Sequence, residues 1–346
     1  MYRAFSDDII DFKGASVLVT GGTGSFGQHF VRRTLELCEP RRLIVFSRDE
    51  LKQFEMQSTL KAELRPEQFN RLRFFLGDVR DRQRLMLATR GVDYIVHAAA
   101  LKQVMAAEYN PSECIATNIS GAENVVWAAL ENRVKRVVAL STDKACNPVN
   151  LYGATKLASD KVFIAANNLS GDIGTRFAVV RYGNVLGSRG SVIPFFRGML
   201  ARGAKSLPIT DVEMTRFSIT IEQGVMFVLS CFTMMRGGEI FVPKIPTMRI
   251  TDLARVLAPD LPQQIVGIRP GEKLHEVMVS ADDAPATVEL PDRYVIEPVY
   301  AEYPRKSFGY ETNARRTPRG FAYSSDTNEE FLDDQGIADW LERAGV

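Results

Sequence analysis

Short, continuously apolar runs rich in β-branched residues alternate with longer amphipathic stretches through the first half of the chain. Residues 16–20 (SVLVT) predict a buried strand, after which Phe26, Phe30, Val31, Leu35 and Cys38 recur at helical spacing. Further strands are predicted at 43–47 (LIVFS), 72–76 (LRFFL), 94–97 (YIVH), 137–141 (VVALS) and 177–182 (FAVVRY), with helices over 118–131 and 152–168. Strands apolar on both faces, alternating with helices, predict a parallel sheet covered on both sides, hence a doubly wound α/β domain over 1–187. After Gly187 the rhythm weakens, and Pro, Gly and Arg become frequent. A smaller domain over 188–346 is therefore expected on the carboxyl ends of the sheet. The strand-like run 239–242 (EIFV) predicts a return to the main sheet near 215–245, so the two domains interleave. The Pro- and acid-rich tail from about Ala281 reads as irregular but ordered.

Composition narrows the function. The chain has 346 residues and a formal net charge of +1 from 43 basic and 42 acidic residues. No basic excess marks it as a partner of nucleic acid. No apolar run approaches the roughly 20 residues of a membrane span. The opening MYRAFSDDIIDFKG is acidic and lacks the apolar stretch of a secretory signal. Cys38, Cys114, Cys146 and Cys231 stand far apart, without metal-ligand spacing. They predict reduced thiols in a cytoplasmic protein and no metal site.

The first strand runs directly into TGGTGSFG, with Gly21, Gly24 and Gly27 between strand and helix. In that context the glycines predict a Rossmann-type turn, whose helix N-terminus receives a pyrophosphate. Thr23, Ser25 and Phe26 fall in the same turn. Val79, Ala98, Ala99 and Lys102 follow later strands and complete the expected cofactor cleft. At the end of the second strand, where an acidic residue would take a ribose diol, Ser47 and Arg48 stand instead. With Lys52 nearby, they predict the 2′-phosphate of NADP rather than NAD. Asp78, after the third strand, is expected either to meet the adenine or to cap a helix.

Tyr152 and Lys156 form Y-x-x-x-K, which a helix places on one face. An ammonium beside a phenol lowers its pKa, so Tyr152 can remove a hydroxyl proton while hydride leaves the carbon. The strand before it ends in Ser141, Thr142, Asp143 and Lys144, polar groups at the ligand edge of a parallel sheet. Thr142 can bond a sugar hydroxyl, Asp143 is a possible acid and Lys144 a possible base. Burial of Lys144 beside Lys156 is expected to depress its pKa and leave it neutral.

With these residues in place the chain resembles the extended short-chain dehydrogenase/reductases. Within them it is similar to the inverting UDP-N-acetylglucosamine 4,6-dehydratases. The stretches that carry the likeness include SRDELKQ, HAAALKQV, STDKA, NPVNLYGATKLASDK, RYGNVLGSRGSVIP, ITDVEMTRFSIT, GIRPGEKLHE and YSSDTN. The resemblance implies oxidation at C4 of a UDP-sugar, loss of water across C5 and C6, and return of hydride to C6. Asp143 would protonate the departing hydroxyl and Lys144 would take the C5 proton; dehydratases of other nucleotide sugars carry Asp-Glu at this place. It implies that Asn184, Arg216, Arg269, Glu272 and Lys102 serve the substrate, and that Asn118 ties the site's backbone together. It further implies a homo-oligomer, plausibly a hexamer, acting in pseudaminic acid biosynthesis. Met105, Cys146 and Ser218 depart from the family's pattern and are expected to line or adjoin the substrate crevice. A nucleotide-sugar 4-epimerase would share Tyr152, Lys156 and the glycine turn without needing Asp143 and Lys144. A non-catalytic NADP-sensing protein would need none of the four.

The cofactor assignment makes a direct prediction. Arg48→Ala is expected to weaken NADP more than NAD, by about 1.5–3 kcal/mol for one charge-assisted contact. Titration of both cofactors by protein fluorescence checks it, and equal weakening of the two would refute it.

Overall fold

The computed structural model describes residues 2–188 and 190–345. The predicted strands form: β1 (Ser16–Thr20), β2 (Arg42–Ser47), β3 (Leu72–Leu76), β4 (Tyr94–His97), β5 (Arg136–Leu140) and β6 (Arg176–Val180). All join one large sheet, whose order continues from β3 through β2, β1, β4, β5 and β6 to Ile240–Pro243. Every pairing along that stretch is parallel. Strand order reverses direction between β1 and β4, and such a switch point opens a crevice at the carboxyl ends of the strands.

The return of Ile240–Pro243 to β6 matches the expected interleaving, but the sheet does not stop there. Arg293–Ile296 pairs antiparallel with Ile240–Pro243, and Thr287–Glu289 and Arg315–Arg316 extend the same edge. These strands come from the tail that reads as irregular. Each is too short to show a period, and they persist because their backbone groups find partners on a sheet edge. The tail also carries a helix, Asp334–Arg343, capped by the Asp333 carboxylate on the Gly336 N–H at 2.8 Å.

Packing explains the two layers. Helix Ile221–Met234 lies in the main core, its Phe232 meeting Phe12 and Tyr94 edge to face. Phe241 is fully buried and meets Phe308 edge to face at 5.9 Å. A separate cluster of Leu186, Ile193, Met248, Leu253, Ile337, Trp340 and Leu341 holds the smaller layer. Its three-stranded sheet places Thr215–Ile219 between Thr247–Arg249 and Asn184–Val185, with Asn184 beside Ser218. Because Asn184–Val185 directly follows β6, this sheet stands over the carboxyl edge of the main one. Among the described residues no helix is long and apolar enough to cross a membrane.

Phe241 joins the parallel sheet to the strands of the tail. Phe241→Ala should destabilise the fold by about 3–5 kcal/mol, the usual cost of emptying a buried aromatic site. Urea denaturation measures it, and a loss below about 1 kcal/mol would show that this junction is not core.

Candidate active site

A cleft of about 1190 Å³ lies along the carboxyl edge of the sheet, between the main and smaller layers. At one end the glycine turn forms its floor. Gly21 has φ +64, and a Cβ there would lie 2.8 Å from the Ala99 nitrogen. The Thr20 hydroxyl accepts from the N–H groups of Ala98 and Ala99, at 3.1 and 3.3 Å, and so must donate to His97 Nδ1 at 2.9 Å. Burial pushes His97 down to about 3, which leaves it neutral and able to accept. Helix Ser25–Leu37 begins at Gly24, with no side chain capping it. A floor bare of Cβ atoms and an uncapped 13-residue helix suit a dinucleotide's pyrophosphate.

All the expected cofactor positions line this cleft: Gly21, Thr23, Gly24, Ser25, Phe26, Gly27, Ser47, Arg48, Lys52, Asp78, Val79, Ala98, Ala99, Lys102, Tyr152 and Lys156. Their contacts differ in kind. Ser47 is buried, and its hydroxyl accepts from Gln53 at 3.0 Å. Lys52 pairs with Asp49, the cap of its own helix, at 2.7 Å. Arg48 is half exposed and lies 3.7 Å from Asp78. Asp78 is not a helix cap, a task that falls to Asp81. Desolvation works against its charge, but bonds from Arg80 hold its carboxyl below the usual range.

The reactive wall is built where β5 ends. Thr142 starts a tight turn, Asp143–Ala145, and helix Leu151–Leu169 packs against it. Gly153 allows that packing, since a Cβ there would stand 2.2 Å from the carbonyl oxygen of Lys144. Asn150 caps the helix by accepting from the Gly153 N–H at 2.8 Å. Tyr152 therefore faces Thr142, with which it hydrogen-bonds, and Lys144 lies alongside. Asn118 fixes the facing loop by accepting from the Leu101 N–H and donating to the Leu101 carbonyl, at 2.8 and 3.0 Å.

Electrostatics here overturn two expectations. Lys144 is not a neutral amine depressed by Lys156. Its Nζ lies 3.0 Å from Asp143 Oδ1 and 3.2 Å from Glu276 Oε1. Burial would push it down, but the two carboxylates outweigh burial and hold the ammonium well above the usual lysine range. Nor does Lys156 lower the phenol. Burial pushes Tyr152 up to about 12, and the nearby cation working against that is Lys144. Lys156 instead donates to the Leu140 carbonyl at 2.6 Å, while burial lowers its own pKa.

Asp143 is the one expected site residue that does not line the cleft. Its carboxylate is fully buried; Oδ1 accepts from Thr142 and Lys144, and Oδ2 has no partner. Asn184, Arg269 and Glu272 line the cleft as expected, with Asn184 Oδ1 3.4 Å from Lys144 Nζ. Arg269 lies 3.7 Å from Glu272. Arg216 also faces the cleft, but its terminal nitrogens donate to the carbonyls of Thr215, Leu274 and Lys273 at 2.7–2.9 Å. That fixes the loop carrying Glu276 and leaves the guanidinium less to offer a phosphate. Of the three departures from the family's pattern, only Met105 lines the cleft. Cys146 and Ser218 are buried beside it, and burial pushes the Cys146 thiol up to about 11.

Sequence reasoning missed Glu276 and Lys273. Both sit in GEKLHE, so the signal was present, but its first carboxylate, Glu272, drew the assignment. Lys273 donates to the Cys146 carbonyl at 2.6 Å, and Asn150 donates to the Gly271 carbonyl at 2.7 Å. Together they seal the loop onto the Lys144 turn.

Comparison with known proteins agrees with this geometry. The polysaccharide biosynthesis protein family matches residues 17–298. A Campylobacter jejuni (serotype O:23/36, strain 81-176) UDP-N-acetylglucosamine 4,6-dehydratase (inverting) is 55% identical, over 95% of this chain and 97% of its own. A Rickettsia canadensis UDP-glucose 4-epimerase is 42% identical, over 82% and 83%. Among solved structures, Pen from Bacillus thuringiensis superposes with a TM-score of 0.86 at 34% identity, over 97% of this chain and 99% of that one. DesIV, a Streptomyces venezuelae dTDP-glucose 4,6-dehydratase with NAD and TYD bound, gives 0.65 at 27%, over 75% and 86%.

Gly153 supplies a test of how closely the two walls must meet. Gly153→Ala forces the turn of Lys144 away from Tyr152, and misplacement by about 1 Å costs on the order of 10²-fold in rate. Turnover should fall on that scale while cofactor affinity, set at the other end of the cleft, stays near normal. Steady-state kinetics and a cofactor titration separate the two.

Proposed function

This chain belongs to the polysaccharide biosynthesis protein family, and from that premise we propose that it is an inverting UDP-N-acetylglucosamine 4,6-dehydratase. The product is UDP-2-acetamido-2,6-dideoxy-β-L-arabino-hex-4-ulose, the first intermediate of pseudaminic acid biosynthesis. The observation that carries the reading is Lys144 following Asp143 on the turn that packs against Tyr152. The high identity to the Campylobacter enzyme supports the same reaction. We take the protein to work in the cytoplasm as a homo-oligomer, following the resemblance.

The cleft suits a nicotinamide dinucleotide, read as NADP from Ser47 and Arg48, with the glycine turn beneath its pyrophosphate. When bound, a nicotinamide there would supply a hydride acceptor for C4 of the sugar and a hydride source for C6. Tyr152 removes the O4 proton as hydride leaves, helped by the charge of Lys144. The 4-keto group then acidifies C5–H, and Lys144 removes that proton. Asp143, buried behind Thr142, supplies the proton that lets the C6 hydroxyl leave as water, with the Thr142 hydroxyl as the hand-over. As hydride returns to C6, a solvent proton taken up at C5 from the opposite face inverts it. Arg269, Glu272, Asn184 and Lys102 hold the nucleotide and sugar, and Arg216 fixes the loop above them.

Nucleotide-sugar 4-epimerisation uses the same Tyr152 and glycine turn, so the fate of the C6 oxygen separates the two reactions. Incubation with UDP-N-acetylglucosamine should give a 4-keto-6-deoxy product inverted at C5 by NMR, with a C4 deuterium label recovered at C6. A product that keeps its C6 hydroxyl would refute the dehydratase reading. Lys144→Ala should leave substrate and cofactor binding nearly intact and lower turnover by about 10² or more, the scale of a lost general base. Exchange of the C5 proton with solvent deuterium should fall with it, and normal exchange would remove Lys144 from that role.

A further inference from the structure

Lys144 is held as an ammonium, yet the reaction proposed above asks it to accept a proton. We infer that Glu276 is the group that takes this proton, so that Lys144 enters the elimination as a neutral amine. Glu276 is a positioning residue, acting on the sugar only through Lys144, and its role rests on the dehydratase reading.

Two carboxylates lie within reach of Lys144, and each takes one of the two proton tasks. Glu276 Oε1 is 3.2 Å from Lys144 Nζ, and its other oxygen, Oε2, is buried without a hydrogen-bond partner. Asp143 Oδ1, at 3.0 Å, is the other carboxylate oxygen paired with Lys144 among the described residues; it gives a proton to the departing C6 hydroxyl, so in this role it enters the elimination already protonated. The remaining charged or titratable groups acting on Lys144 and Glu276 are Arg216, Lys102, Lys273 and Tyr152. Three are cations, and Tyr152 already has the O4 proton to take. Burial pushes Glu276 up, toward the protonated form this role needs.

Glu276 is not needed to hold its loop. The Arg216 bonds to three carbonyls, Lys273 on the Cys146 carbonyl and Asn150 on the Gly271 carbonyl already do so. Its own backbone is paired with Ser325, the N–H donating to Oγ at 2.9 Å. A fully buried carboxyl on the cleft wall, aimed at the ammonium, is left with a chemical task.

The proton count closes. An N–H bond of Lys144 breaks and an O–H bond forms on Glu276, with no change in the net charge of the pair. Lys144 then takes the C5 proton, the C–H pair becomes the C5–C6 double bond, and the C6–O bond breaks. The oxygen leaves as water with a proton from Asp143. The three side chains end with as many protons as they began with, since Lys144 gains one and Asp143 loses one.

Glu276→Gln keeps the size of the side chain but cannot take the proton. With UDP-N-acetylglucosamine, kcat and C5 exchange should fall together by about tenfold or more, with KM little changed. Oxidation at C4, followed at 340 nm in a single turnover, should persist. The variant's rate should climb with pH, because Lys144 must now lose its proton to solvent, whereas the wild type stays flatter. Glu276→Asp should recover part of the rate, and if the Gln variant does not fold, the pH profile of the Asp variant is read in its place. A wild-type pH profile and C5 exchange, or a loss confined to KM, would overturn the role of Glu276 alone. Wild-type protein that does not dehydrate the sugar would overturn the functional reading, and this role with it.

Discussion

One buried ammonium joins the two halves of the chain. Lys144 stands on the turn after β5, between Asp143 of the same turn and Glu276 from the loop of the smaller layer. Taking three ionisable groups out of water is costly, and such an arrangement survives only where geometry compensates. Here the compensation is local and extensive: Thr142 and Asn184 bond the same atoms, and Arg216 and Lys273 stand near Glu276. The loop over the cleft, the turn at the strand end and the helix that carries Tyr152 cannot move independently without exposing or orphaning one of these charges.

Close backbone contact makes that arrangement possible. The helix Leu151–Leu169 approaches the Lys144 turn as nearly as Gly153 permits, and the glycine turn approaches Ala98 and Ala99 as nearly as Gly21 permits. At one end of the cleft a missing Cβ sets the distance between two strand ends, and at the other between a helix and the turn after a strand. The parallel sheet then fixes their relative height, because Thr20 is in register with His97, and His97 with Ala139. Residues of the glycine turn and of the helix that carries Tyr152, far apart in sequence, thus line one cleft.

The site is also graded in charge from one end to the other. Near the glycine turn the side chains are small or already paired, as Lys52 is with Asp49. Toward the smaller layer, Lys102, Lys144, Arg216 and Lys273 gather around Asp143 and Glu276. Burial lowers Lys102, which also feels Lys144, so an anionic ligand entering here would relieve repulsion among cations as well as form new bonds.

The sequence by itself determined the strands of the parallel sheet, the glycine turn and the residues after β5. Each of these is a local signal: a run of β-branched residues, a glycine spacing between strand and helix, a polar cluster where a strand ends. It also carried Tyr152 and Lys156, because helical spacing is a local property. Tertiary structure alone decided the protonation of that cluster. Lys144 reads as a depressed lysine when only Lys156 is considered, but Asp143 beside it and Glu276, which the fold brings from 132 positions away, together reverse the sign. The same holds for Asp143, whose place behind the wall depends on how Leu151–Leu169 packs, and for the tail strands, which exist only because a sheet edge was there to pair them. Spacing along the chain fixes what one segment can become. Charge and burial depend on which segments meet, and that is set by packing between parts of the sequence that no local pattern connects.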